Sequence, residues 1–325
     1  MRETMMRTWM VLPALLLWSG AATAQTAAQC TPAADVATVT QDVVQDGIVA
    51  QFIRPQGPGP FPALLILGGS EGGTRTVRAL AAPFAAQGYA VLALSYFRAE
   101  GLPAALDQIP LETFDHGLAW LAAQPSVDAR RIGVFGISKG AEAALLVASR
   151  HAEIRAVAAG SPSHVAWQGL SQDFGLRSSW SAGGAPLAFL PYETSHGFTS
   201  IFKFYEDALP NLPQHAGAAI PVERINGPIL LISGRADALW PSTAMAEAIV
   251  ARLRARHFRH RVNHVSYPDA GHMAPAPPAI GPTRAEMLPM LGGTIEGNDR
   301  ARALAWPVTI CFFREALAPV RRRRL

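Results

Sequence analysis

Apolar residues fall along much of this chain in short unbroken runs rather than in strict alternation. Four-to-seven-residue runs at 63–67, 89–95, 132–135, 154–159 and 229–233 are bounded by glycine or proline and rich in Val, Ile, Leu and Ala, as expected of strands buried on both faces. Between them lie stretches with helical spacing, at 77–87, 110–124, 141–149 and 242–256. In the second of these, Leu111, Phe114, Leu118 and Leu121 mark one face. Gly88 stops the first helix and Ser242 is the expected N-cap of the last. Residues 36–54 alternate loosely around Asp46-Gly47 and predict a leading pair of strands with a turn. The run 55–60 holds three prolines and two glycines and must be a loop. A short last strand is expected at 265–267 and a final helix at 301–317, while the Pro- and Gly-rich segment 275–298 fits no element. Buried strands alternating with helices predict an α/β fold, a mostly parallel sheet covered on both faces.

The alternation is broken once, between residues 161 and 228. This stretch carries Trp167, Trp180, Phe189, Tyr192, Phe198, Phe202, Phe204 and Tyr205. Its aromatic content argues against disorder, and a long loop of this kind is usually functional. It is expected to form an aromatic-rich cap over the site, with Trp180 as a candidate lining of the substrate pocket.

The best-defined chemical signal is Gly136-Ile137-Ser138-Lys139-Gly140, a G-x-S-x-G sequence between a predicted strand and a predicted helix. That context fits a nucleophile elbow, in which the serine sits on a sharp turn at the end of a strand. A serine nucleophile needs a base and an orienting acid, which on this architecture follow in the order Ser, acid, His. Asp237 lies just past the strand at 229–233, and His272 just past that at 265–267. Asp269 is a rival acid, but it is only three residues from His272 on the same loop. The oxyanion hole calls for two backbone N–H groups. One is that of Lys139. The other is expected from the run 68–73, with Ser70 first and Glu71 in reserve. That glycine run lacks the Gly-Lys-Ser/Thr ending of a phosphate loop.

Composition narrows the rest. The chain has 325 residues, 50% of them hydrophobic, with a net charge of +4, enough for a single large domain. Only Lys139 and Lys203 are lysines, the remaining basic residues being arginine. No arginine-rich helix is interleaved with stacking aromatics, so nucleic acid is not an expected partner. His257, His260 and His264 lie among arginines with no Cys or acidic partner nearby and read as a solvated basic face; no metal and no cofactor is expected. Arg2 and Arg7 precede an apolar run at 9–17 and an Ala22-Thr23-Ala24 site. This describes a secretory signal peptide over residues 1–24, too short for a membrane span. A single domain over 25–325, in the periplasm or secreted, is then expected. Cys30 and Cys311, the two cysteines, are expected to pair there.

Three motifs resemble a known family: residues 136–142, 229–242 (Ile229-Leu-Leu-Ile-Ser-Gly-Arg-Ala-Asp237-Ala-Leu-Trp-Pro-Ser242) and 266–272 (Ser266-Tyr-Pro-Asp-Ala-Gly-His272). They are similar to the C-terminal catalytic domain of acyl-CoA thioesterases and bile acid-CoA:amino acid N-acyltransferases. Ser95-Tyr-Phe97, Gly101-Leu-Pro103, Ile109-Pro-Leu-Glu112 and Ser178-Ser-Trp180 fit the same pattern. The resemblance covers about residues 63–275. It implies an α/β-hydrolase fold, a Ser138, Asp237, His272 triad, and acyl transfer from a thioester to water or an amine. It also favours water, because the amino-acid transferases of the family carry cysteine at position 138. The expected activity is a serine hydrolase of small-molecule acyl thioesters or esters. The alternatives are a carboxylesterase without affinity for coenzyme A, an acyltransferase to an amine and, last, a non-catalytic binding protein.

Overall fold

The computed structural model describes residues 30–173 and 175–319, and those from 31 onward belong to one compact unit. The leader expected at 1–24 lies outside the described residues. Cys30 and Cys311 are both disulfide-bonded.

Among the described residues eleven strands and seven α-helices are formed. In chain order they begin with β1 (Thr38–Gln45), β2 (Ile48–Pro55), β3 (Phe61–Leu67), α1 (Arg75–Ala86), β4 (Ala90–Ser95), β5 (Ile109–Pro110), α2 (Glu112–Ala122), β6 (Val127–Ile137), α3 (Lys139–Arg150) and β7 (Ile154–Gly160). They continue with β8 (Trp180–Ala182), β9 (Ala185–Pro186), α4 (Ile201–Glu206), β10 (Ile229–Gly234), α5 (Ser242–Ala255), β11 (Val262–Tyr267), α6 (Leu288–Leu291) and α7 (Ile295–Ala316). Eight strands make one sheet in the order β1-β2-β4-β3-β6-β7-β10-β11. The β1–β2 and β2–β4 pairs are antiparallel, and every pair from β4 to β11 is parallel.

The unbroken apolar runs are explained by two cores, one on each face. Along β3, Ala63, Leu65 and Leu67 join α2, α3 and α5 through Phe114, Leu118, Leu145 and Ile249. The intervening Leu64 and Ile66 join α1 and α7 through Leu80, Phe84, Ile310 and Phe313. A strand with apolar partners on both sides has no polar face to alternate with.

Several elements differ from the expectations: β6 begins at Val127 and β11 at Val262, ahead of the apolar runs that marked them. The last helix begins six residues earlier, at Ile295, where the Thr294 hydroxyl caps it by accepting from the Gly297 N–H at 2.9 Å. Ser242 is the first residue of α5 rather than its N-cap, which is Pro241; its hydroxyl is used elsewhere.

Strand order places the site. The chain leaves β3 through α1 for β4 on one side, and returns to β6 on the other. The crevice beyond the carboxyl ends of β3 and β6 is therefore a topological switch point, where open α/β sheets bind ligands.

Candidate active site

Ser138 occupies the sharp turn between β6 and α3 with φ 59° and ψ −125°. A non-glycine residue rarely adopts this backbone, and such strain is retained where the surroundings fix it and function uses it. The two motif glycines make the turn possible. A Cβ on Gly136 would strike the Gly140 carbonyl, and one on Gly140 would strike the carbonyls of Leu67 and Gly68. The second of these close approaches also brings the end of β3 against the start of α3. Ser138 is 6% exposed, and the N-terminal amides of α3 follow it directly.

Asp237 and His272 meet although 35 residues separate them. His272 Nδ1 lies 2.9 Å from Asp237 Oδ2, with His272 2% and Asp237 8% exposed. The carboxylate is held from all sides. Its Oδ2 also accepts from the Ser242 hydroxyl at 2.6 Å, and its Oδ1 from the N–H groups of Leu239 at 2.9 Å and Trp240 at 3.3 Å. With the proton on Nδ1 facing Asp237, His272 Nε2 is the acceptor; it is buried and has no hydrogen-bond partner. The Trp240 ring packs edge-on to the imidazole, 5.7 Å between centroids.

The segment that fitted no element holds the histidine loop. The His272 N–H donates to the Leu291 carbonyl at 2.7 Å, and the Gly271 N–H to Asn298 Oδ1 at 2.7 Å. Asp237 and Ala270 form bridges with Gly292 and Gly293. On the opposite side, the Ser161 hydroxyl donates to the His272 carbonyl at 2.6 Å. Asp269, the rival acid, is exposed and its side chain makes no hydrogen bond to His272.

The loop after β3 borders the nucleophile. A methyl placed on Gly69 would lie 3.2 Å from Ser138 Cβ and 2.8 Å from Glu71 Oε2. Tyr96 fixes the loop by donating to the Gly68 carbonyl at 2.6 Å. Glu71 Oε1 accepts from the Gly69 N–H at 3.0 Å, and the same carboxylate draws on its own backbone N–H. The amides of Gly69 and Glu71 are thus engaged, whereas that of Ser70 makes no backbone hydrogen bond. Burial pushes the Glu71 carboxyl above the usual value, against the pull of those hydrogen bonds and of His272.

Beneath the elbow lies a second polar cluster that sequence reasoning did not anticipate. Lys139 Nζ donates to Glu142 Oε2 at 2.8 Å, the two side chains being 1% and 0% exposed. Glu142 Oε1 accepts from the Trp167 N–H at 2.9 Å and from Trp180 Nε1 at 2.6 Å. Burial pushes the Lys139 ammonium below its ordinary value, with Glu142 opposing. Trp180 does not line a pocket. It is wholly buried between Tyr96 and Phe114, and its indole N–H, with the Trp167 N–H, ties the insertion to α3.

The insertion itself is ordered. Strands β8 and β9 extend β5 into a small three-stranded sheet, and Trp167, Leu190 and Tyr205 form a third core with Trp240 and Met245. That core reaches the active-site histidine through Trp240. Of the basic-face histidines, His264 Nε2 pairs with the Ser233 hydroxyl at 2.9 Å. Among the described residues no cluster of His, Cys, Asp or Glu is arranged to hold a metal ion.

Comparison with known proteins identifies the family and the fold. Residues 109–319 match the family model described as BAAT / Acyl-CoA thioester hydrolase C terminal. The chain is 30% identical over 276 residues to human acyl-coenzyme A thioesterase 1, covering 82% of this chain and 62% of that protein. It is 29% identical over 301 residues to mouse acyl-coenzyme A amino acid N-acyltransferase 1, covering 86% and 66%. Against human mitochondrial acyl-coenzyme A thioesterase 2 the match spans just 54% of the relative's length. Among solved structures, a dienelactone hydrolase-like promiscuous phosphotriesterase from metagenomic libraries superposes with a TM-score of 0.54 at 16% identity, covering 86% of this chain and 99% of that one. An α/β hydrolase from a deep-sea metagenome library of the Medee basin gives 0.53 at 14% identity, with 86% and 98% covered. The fold is that of the α/β hydrolases.

Proposed function

We propose that this chain, which belongs to the BAAT / acyl-CoA thioester hydrolase C-terminal family, is a serine hydrolase that cleaves small-molecule acyl thioesters through an acyl-enzyme on Ser138. The observation that carries the reading is the buried Asp237–His272 pair, its Nε2 unpaired, in a site that also holds a strained serine at a strand end. The thioester as substrate is inferred from the relatives, which are acyl-coenzyme A thioesterases.

In this reading His272 Nε2 takes the Ser138 proton as Oγ attacks the acyl carbon, and Asp237 holds the imidazole in the tautomer that leaves Nε2 free. The developing oxyanion is met by the N–H of Lys139, at the positive end of α3, and by that of Ser70. The C–S bond then breaks, and the leaving thiol departs with the proton held on His272. A water deprotonated by the same nitrogen attacks the acyl carbon, and Ser138 leaves with the proton returned. The insertion serves as a cap, its aromatic core shielding His272 from water through Trp240. Export to the periplasm or the medium belongs to the same proposal, on the basic, apolar and Ala-x-Ala start of the chain; fractionation of a tagged full-length protein tests it.

Turnover of acyl-CoA thioesters and matching p-nitrophenyl esters of graded chain length tests the activity. Thioesters should be cleaved by the wild type, and Ser138→Ala should lose at least roughly 10³ in kcat. Cleavage of esters alone would make the protein a carboxylesterase. A variant retaining more than about a tenth of kcat would reject Ser138 as nucleophile.

A further inference from the structure

Glu71 is not used by the mechanism above, yet its carboxylate lies beside the nucleophile. One oxygen is spent inside its own loop, on the Gly69 N–H at 3.0 Å. The other, Oε2, lies near the same point of the loop as Ser138 Cβ. Among the described residues Glu71 forms no ion pair and Oε2 accepts no hydrogen bond. Among the described residues the cation-forming side chain that acts on it is His272, which is already committed to Asp237. Arg98, whose Cβ borders Gly72 of the same loop, places its guanidinium 5.9 Å over the Phe97 ring and makes no pair with Glu71. Part of Glu71 reaches solvent, although its carboxyl is largely desolvated. A carboxylate oxygen without a hydrogen-bond partner therefore lies close to Ser138, where an acyl substrate must bind.

A group of this kind is a poor neighbour for negative charge. It penalises a substrate carboxylate held nearby, and favours an ammonium or an N–H donor in the same place. Its interaction with a neutral acyl group is far weaker than with a charged substituent, so its larger effect is on selection. We infer that Glu71 sets the charge preference of the site: it selects acyl substrates carrying a cationic or N–H-donating substituent within a few bonds of the reacting carbonyl, and rejects those carrying a carboxylate there. This rests on the hydrolase reading above and narrows its substrate class. Burial of the carboxyl raises its value, and a poorly hydrated charge gains more from a paired ligand charge than it would in bulk water.

The test uses three p-nitrophenyl esters of similar size: butyrate, hemisuccinate and 4-(trimethylammonio)butyrate. Hydrolysis by wild type and Glu71→Gln is compared near pH 8 at low and high salt. Gln keeps the length and an acceptor for the Gly69 N–H, but removes the charge. The ratio of kcat/KM for the cationic ester over the anionic one should fall by about tenfold or more in Glu71→Gln at low salt, with the butyrate value changed far less. Added salt should shrink the wild-type preference. Equal losses on all three esters would overturn the proposal, and assign Glu71 to holding the loop alone. The titration of Ser138→Ala and Ser138→Ala/Glu71→Gln with the three corresponding anilides separates the two readings. A Glu71-dependent charge preference in binding sustains the inference even if the wild type hydrolyses neither these esters nor acyl-CoA thioesters, an outcome that would sink the hydrolase reading. Hydrolysis without any such preference sinks the inference alone.

Discussion

Replacing Glu142 with Leu should be among the most destabilising single changes in this fold. The two side chains are similar in size, but the substitution removes a carboxylate that accepts three hydrogen bonds where no water reaches. Stranding one member of a buried ion pair costs about 3–5 kcal/mol. Each of the two orphaned donors, the Trp167 N–H and the Trp180 indole N–H, adds about 1–3 kcal/mol. Lys139 can recover part of this by giving up its proton, since burial already pushes its ammonium down. A net loss of about 5 kcal/mol or more is expected, comparable to the whole stability of a marginal domain. The double variant Lys139→Met/Glu142→Leu removes the stranded charge and leaves the two orphaned donors, so its loss should be smaller, about 2–4 kcal/mol. Urea unfolding followed by tryptophan fluorescence measures both. A single variant losing less than about 1 kcal/mol, or a double variant less stable than the single, would refute the reasoning.

Asp237→Asn should lose up to roughly 10⁴ in kcat, because Asn can hold the imidazole in the wrong tautomer; Asp269→Asn, at an exposed position without contact to the ring, should stay near wild type. Reversal of that order in steady-state kinetics would make Asp269 the acid. His164 is largely buried and its Nδ1 is unpartnered; burial, then Arg252, lowers its pKa from 6.5 to about 4. The unfolded chain therefore takes up this proton first, and the native state loses stability as pH falls from about 6.5 toward 4, by at most roughly 3 kcal/mol. Urea unfolding at about pH 7 and about pH 4.5 should show a shallower fall for His164→Gln than for wild type, and equal falls would discount the assignment.

The parts of the molecule that repeat a local rule were legible in the sequence. The runs 63–67, 132–135 and 229–233 predicted strands because they are buried on both faces, and β3, β6 and β10 contain them. The elbow was legible because G-x-S-x-G between a strand and a helix is itself a local geometry. Asp237 and His272 were found by their places after strands, and the structure brings them to 2.9 Å. What supports them was hidden, because it depends on contacts distant in sequence. Ser242 looked like a cap, since a serine opening a helix usually is one, but its hydroxyl lies within reach of Asp237 five residues back. The segment 275–298 has no periodicity to read, because it is held by backbone bonds to the histidine loop rather than by an apolar face. Trp180 was read as a pocket aromatic. Only the fold reveals that Glu142, 38 residues earlier, claims its indole N–H.

Trapping the acyl-enzyme tests the central claim most directly. Enzyme mixed with excess acyl-CoA, or with the p-nitrophenyl ester of the same acid, is quenched in acid within the first turnovers, digested and examined by mass spectrometry. The account predicts a burst of released thiol or nitrophenol approaching one equivalent per active site. It also predicts the mass of the acyl group on Ser138, and neither signal in Ser138→Ala. Turnover with Ser138 unmodified and the acyl group on another residue, or undiminished turnover in Ser138→Ala, would contradict it.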